Sequence, residues 1–262
     1  MRVLDGKGGS RNRSGARLAV ATIGPLLVVA FLLITSEAAA QALPTVPLHT
    51  APLTGTKILG QTILTFGCSA VAAFSTPPTF NLTTGVGKVS GHSSVAGCGL
   101  PGASDNGSTT GIVGFDSQPF PGSATYTKAT LKYALSFVFN LTATPASPAG
   151  GPFAWASYKV ETDAYLVDES TLTIVGGCGG GNFNSTNGSA SGMVSGHLTP
   201  SATCDVFDAS GITVPGQQYY VEFIAYASEW SYAPSGTTTM ANARLNMATG
   251  GHDFVVKSWS IT

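Results

Sequence analysis

An all-β fold, an antiparallel β-sandwich or jelly roll of about ten strands, is what this sequence predicts, and three observations predict it. Several stretches alternate apolar and polar residues with a period of two, helical spacing is weak throughout, and Gly- and Pro-rich turns punctuate the alternating stretches. An internal two-fold repeat and an N-terminal signal or anchor helix complete the expected architecture.

The first 17 residues carry Arg2, Lys7, Arg11, Arg13 and Arg17 against Asp5, followed by an uncharged run from Leu18 to Thr35. Small residues at Ala38-Ala39-Ala40-Gln41-Ala42 then offer cleavage after Ala40 or Ala42. Residues 1–42 read as a secretory signal peptide. An uncleaved membrane anchor is the alternative, because the apolar run of 18 residues reaches the lower limit for spanning a bilayer. The expected location is extracellular or at the cell surface, with the membrane engaged only through this segment.

The 220 residues that follow suffice for one large β domain or two small ones. They hold seven basic and eleven acidic residues, a formal charge of −4. No basic stripe exists to neutralise phosphates, so a nucleic-acid partner is not expected. Eighteen charged residues is far below the roughly 25% of a typical soluble domain. Ser and Thr hydroxyls, and glycans on the sequons Asn81, Asn106, Asn140, Asn184 and Asn187, are the expected sources of solubility.

Residues 43–56, Pro- and Thr-rich and nearly uncharged, read as a linker. In residues 129–141, Leu131, Tyr133, Leu135, Phe137, Phe139 and Leu141 share one parity while Thr130, Lys132, Ser136 and Asn140 take the other, as on a half-buried strand. A second strand spans about 154–167, with Ala156, Tyr158, Val160, Ala164 and Leu166 on one face and Lys159, Glu161 and Asp163 on the other. Asp168-Glu169-Ser170 then turns into a further strand at 172–175. Residues 176–181, GGCGGG, read as a flexible loop. Strands at 219–230, 237–247 and 254–261, joined by turns at 234–236 and 250–253, form an expected antiparallel meander.

The repeat rests on two phrases inside cysteine brackets. Gly87-Lys88-Val89-Ser90-Gly91-His92 lies between Cys68 and Cys98, and Gly192-Met193-Val194-Ser195-Gly196-His197 lies between Cys178 and Cys204. It divides the chain into units 57–170 and 171–262, expected to form one continuous sandwich. In an exported chain four cysteines form two bridges, and the duplication selects Cys68 with Cys98 and Cys178 with Cys204. With no C-x-x-C spacing, no metal site or cofactor is expected. His92 and His197 read as structural histidines whose rings hydrogen-bond backbone.

Two groups of residues carry possible chemistry. Tyr220, Glu222, Tyr226 and Trp230 share one strand parity, which reads either as core aromatics, with Val221, Phe223 and Ala225 of the opposite parity facing another layer, or as the combination of flat rings and a carboxylate that suits a sugar-binding surface. Glu222 decides whether that face is wet, since an unpaired carboxylate is almost never fully buried. Glu161 and Asp163 stand about 6.6 Å apart along a strand, a spacing that distance alone permits for glycoside hydrolysis. Glu161-Thr162-Asp163-Ala164-Tyr165 resembles the first two thirds of the Glu-x-Asp-x-Glu strand of some jelly-roll glycoside hydrolases, but Tyr165 stands where the second glutamate belongs.

The expected function is a structural or binding role at the cell envelope, without catalysis, toward a glycan or another envelope component. The alternative is a carbohydrate-active hydrolase, using Glu161 and Asp163 or Glu222 and Glu229, or a carbohydrate-binding module of the same architecture. The sequence leaves oligomeric state open.

Overall fold

A computed structural model describes residues 45–98, 102, 104–126, 128–144, 153–186, 192–194, 202–205 and 213–262. The segment read as signal or anchor lies outside these residues. Among the described residues no helix is long and apolar enough to cross a membrane.

The strands run in chain order β1 (Val46–Thr50), β2 (Gly55–Phe66), β3 (Val71–Asn81), β4 (Val86–Ala96) and β5 (Asp105–Ser117). They continue with β6 (Phe120–Pro121), β7 (Ala129–Leu135), β8 (Val138–Ala143), β9 (Trp155–Asp168) and β10 (Thr173–Thr186). Last come β11 (Gly192–Val194), β12 (Ala202–Asp205), β13 (Gln218–Ala233), β14 (Met240–Met247) and β15 (Phe254–Ile261). They make two antiparallel sheets. The nine-stranded sheet has the order β11-β8-β14-β4-β15-β7-β12, with β1 on β15 and β3 on β4, and the six-stranded sheet has the order β10-β9-β13-β5-β2, with β6 on β13.

Alternation builds the core, as expected for a sandwich. Leu131, Tyr133, Leu135, Phe137, Phe139 and Leu141 are all buried, as are Ala156, Tyr158, Val160, Ala164 and Leu166. From β13, Tyr219, Val221, Phe223 and Ala225 enter the same apolar cluster, where they join Leu245, Met247, Phe254 and Trp259 of the nine-stranded sheet.

Several expectations change. The 129–141 stretch is two strands, β7 and β8, broken at Ser136-Phe137 without a change of parity. The 43–56 segment contains β1, which pairs with β15, and its His49 ring stacks on Trp259 with centroids 4.2 Å apart. Residues 176–181 lie inside β10, paired with β9 from Thr173 to Thr186. The reason is side-chain crowding from β9, because a Cβ at Gly177 would sit 2.8 Å from Tyr165 Cε1 and one at Gly181 would sit 3.1 Å from Glu161 Cγ. Glycine is what this strand must be to lie under those side chains.

The C-terminal meander is also replaced. β13 belongs to the six-stranded sheet while β14 and β15 belong to the other, and β4 lies between β14 and β15. Of the repeated phrases, Gly87–His92 lies in β4 and Gly192–Val194 in β11, both strands of the nine-stranded sheet, but the two halves diverge elsewhere. The strand after Pro121-Gly122 is β7 in the nine-stranded sheet, whereas the strand after Pro215-Gly216 is β13 in the six-stranded sheet. β5 of the first half pairs along its length with β13 of the second, so the halves interleave, and Ala42–Thr262 form one compact unit.

A disulfide joins Cys68, just after β2, to Cys98, just after β4, and so ties the two sheets together. Asp105 supports this corner by accepting the Ser69 amide at 3.2 Å. Cys178 is also disulfide-bonded, and the side chain of Cys204 lies outside the described residues.

Candidate functional site

Register places the candidate residues of β9 and β13 on one surface, the outer face of the six-stranded sheet. Along β13, Tyr220, Glu222, Tyr226, Trp230 and Tyr232 are half-buried and outward, while the odd-numbered residues are buried against the other sheet. Ten residues separate Tyr220 from Trp230, about 33 Å of strand. On β9, Trp155, Lys159, Glu161, Asp163 and Tyr165 take the outward parity. The pairings Glu222 to Tyr165, Ile224 to Asp163, Tyr226 to Glu161 and Tyr232 to Trp155 interleave the two rows. β5 adds Asp116, directly opposite Glu222.

One end of the face is acidic and phenolic. Burial, then the charge of Glu222 and a hydrogen bond with it, push the Asp116 carboxyl up to about 6, and Asp116 Oδ1 is buried with no hydrogen-bond partner. Glu222 is raised by burial and by the charge of Asp163, with Asp116 pulling the other way. Asp163 is raised chiefly by burial, against a hydrogen bond from Tyr165. Glu161 is tied to Lys159 at 2.6 Å. Burial and these carboxylates also raise the Tyr165, Tyr220 and Tyr226 hydroxyls, keeping them protonated as hydrogen-bond donors.

The other end is aromatic. Trp155 and Trp230 line an open cleft of about 590 Å³ together with Phe153, Phe183, Ser157 and Ser185. Trp155 stacks on Tyr232 at 5.7 Å with an interplanar angle of 24°. Phe183 is 63% exposed and Phe153 40%. Flat apolar rings rimmed by hydroxyls are what a partly apolar, partly hydroxylated ligand requires.

Glu161, Asp163, Tyr220, Glu222, Tyr226 and Trp230 therefore share one face. Glu229 does not. It is 1% exposed, points into the sandwich and hydrogen-bonds Thr109, so it cannot act with Glu222, which points outward. Burial holds its carboxyl at about 8, with Thr109 lowering it less strongly. His92 lies on the nine-stranded sheet, with Nδ1 3.4 Å from Ser75 Oγ. The expected ring contact to backbone is replaced by this hydroxyl, and His197 lies outside the described residues.

Of the sequons, Asn81 and Asn106 are exposed, Asn184 is exposed on β10, and Asn140 is half-buried on β8. Asn81 Oδ1 accepts the Thr83 amide at 2.9 Å. Asn187 lies outside the described residues.

Sequence reasoning passed over Asp116, Trp155, Tyr165 and Tyr232. Trp155 and Tyr165 share the parity of Glu161 and were open to detection by the same alternation. Asp116 was not, because its importance comes from β5 lying against β13, a pairing that spans more than 100 residues. The sequence matches no known protein family and no characterised protein.

Proposed function

We propose that this chain is a secreted or surface-tethered binding module of the cell envelope, and that the outer face of the six-stranded sheet takes a carbohydrate chain. The observation that carries the reading is the alignment of Trp155, Trp230 and Tyr232 at one end with Tyr226, Tyr220 and Glu222 along the same strand. Rings stack on the C–H faces of a pyranose, and phenols and carboxyl groups take its hydroxyls. A face about 33 Å long suits an extended polymer better than a monosaccharide. The Cys68–Cys98 bridge fits an oxidising location.

A glycan array with purified protein tests the proposal. Trp230→Ala and Trp155→Ala each weaken retention by about tenfold or more, as expected for stacking anchors in an interface. Arg244→Ala, exposed on the opposite sheet, leaves it unchanged. Array binding indifferent to both tryptophans sinks the reading.

Asp116 favours a second reading, glycoside hydrolysis. A carboxyl held at about 6 beside Glu222 has the proton a general acid needs in weakly acidic surroundings. In that case a polysaccharide panel shows turnover that declines as pH rises through 6, and Asp116→Asn abolishes it while glycan retention persists.

A further inference from the structure

β2 ends the six-stranded sheet, and among the described residues β5 is its only backbone partner. Its outer edge runs for 12 residues with one charge, Lys57, and no proline. Leu59, Ile63, Leu64 and Phe66 on this strand are 50%, 47%, 62% and 69% exposed. Edge strands are ordinarily guarded by charge, proline, bulges or short length, because a free edge templates pairing with another chain. β3, which among the described residues pairs only with β4, is guarded in this way by Pro77-Pro78 and two register shifts. β2 has no such protection.

The sequence of β2 also indicates its partner. Set antiparallel against itself with Gln61 opposite Gln61, the strand puts Leu59 against Ile63 on one face and Ile58 against Leu64 on the other. Lys57 then meets Thr65, so no like charges face each other. Centred on Gly60, the same strand sets Leu59 against Gln61 and Ile58 against Thr62. Centred on Thr62, it sets Leu59 against Thr65 and Ile63 against Gln61. Among two-fold axes that pass through a residue and keep both sandwiches on the same side of the sheet, only the one at Gln61 places apolar residues opposite one another on both faces, the arrangement that stabilises cross-strand pairs.

We infer that β2 pairs antiparallel with β2 of a second copy about a two-fold axis at Gln61, joining two six-stranded sheets into one continuous sheet. The pairing is isologous, so it closes at a dimer and uses up both free edges. It also sets the two proposed glycan faces on the same side of the joined sheet, though the dimer itself does not depend on that reading.

Sedimentation of the purified protein across a concentration series tests the inference, with cysteine scanning to fix the register. The wild type sediments as a dimer, and Leu59→Lys/Ile63→Lys sediments as a monomer with an unchanged circular dichroism spectrum. Under mild oxidation Gln61→Cys forms a covalent dimer, because the paired Cα atoms fall within disulfide reach. Thr65→Cys does not, since the two copies of residue 65 lie about 26 Å apart along the strand. A monomeric wild type, mass that grows without limit as copies add through some other edge, or equal crosslinking of both cysteine variants would overturn the inference. If the double lysine variant fails to fold, the cysteine pair still decides.

Discussion

Glu229 shows how a single side chain links burial, sequence and pH. It is buried, with Thr109 as its hydrogen-bond donor, and burial keeps its carboxyl protonated up to about pH 8. In the unfolded chain the same group ionises near 4.5. Its contribution to stability is therefore fully present below about pH 4.5 and is lost as pH rises through 8, because the unfolded state releases the proton first. Glu229→Gln removes this dependence, and it raises stability at pH 9 relative to its effect at pH 4. Thermal midpoints of the two proteins at pH 4 and pH 9 check this, and parallel pH profiles would refute it. Asp116 follows the same sign over a lower window. Its contribution is present below about 3.8 and lost as pH rises through 6. Sequence reasoning identified Glu229 as a possible acid because both parities of a strand look alike until one of them is known to face the core.

At the scale of the element, glycine decides which strands lie close together. Gly91 of β4 lies above the Thr109–Glu229 pair, where a Cβ would meet Thr109 Oγ1 first and be 2.7 Å from Glu229 Oε1 and 3.0 Å from Oε2. Gly91→Ala is therefore expected to lower stability by about 1 to 3 kcal/mol through overpacking. Combined with Glu229→Ala, which removes one neighbour and frees the Thr109 hydroxyl to turn away, it should cost clearly less than the sum of the single changes. A strictly additive double-mutant cycle, read from denaturant midpoints, would show that the two positions do not touch. This explains the Gly of Val89-Ser90-Gly91-His92, a phrase whose role in the sequence was visible only as repetition. The same logic governs β10, whose glycine-rich stretch looks like a loop in sequence and forms a strand in which Gly177, Gly179 and Gly181 lie against Tyr165, Asp163 and Glu161 of β9. The strands legible in advance, β7, β8, β9, β13, β14 and β15, contain no glycine.

For the whole molecule, the bridge between Cys68 and Cys98 fastens the end of β2 in one sheet to the end of β4 in the other. Its ends are 30 residues apart in sequence. Replacing both cysteines by serine is expected to lower unfolding stability by about 3 to 4 kcal/mol, most of it through the freer unfolded chain. A chemical denaturation midpoint unchanged by the double substitution would show that packing alone holds the sheets. The fold class and the in-out identity of most strand residues were already present in the local order of amino acids, since period-two alternation is set by each strand's own geometry. Sheet membership and the placing of Asp116 on the outer face of the six-stranded sheet were settled only in three dimensions, as was the divergence of the two halves after Pro121-Gly122 and Pro215-Gly216. Those features depend on contacts between residues far apart along the chain, such as β5 with β13, where neighbouring sequence carries no record of which distant strand will lie alongside.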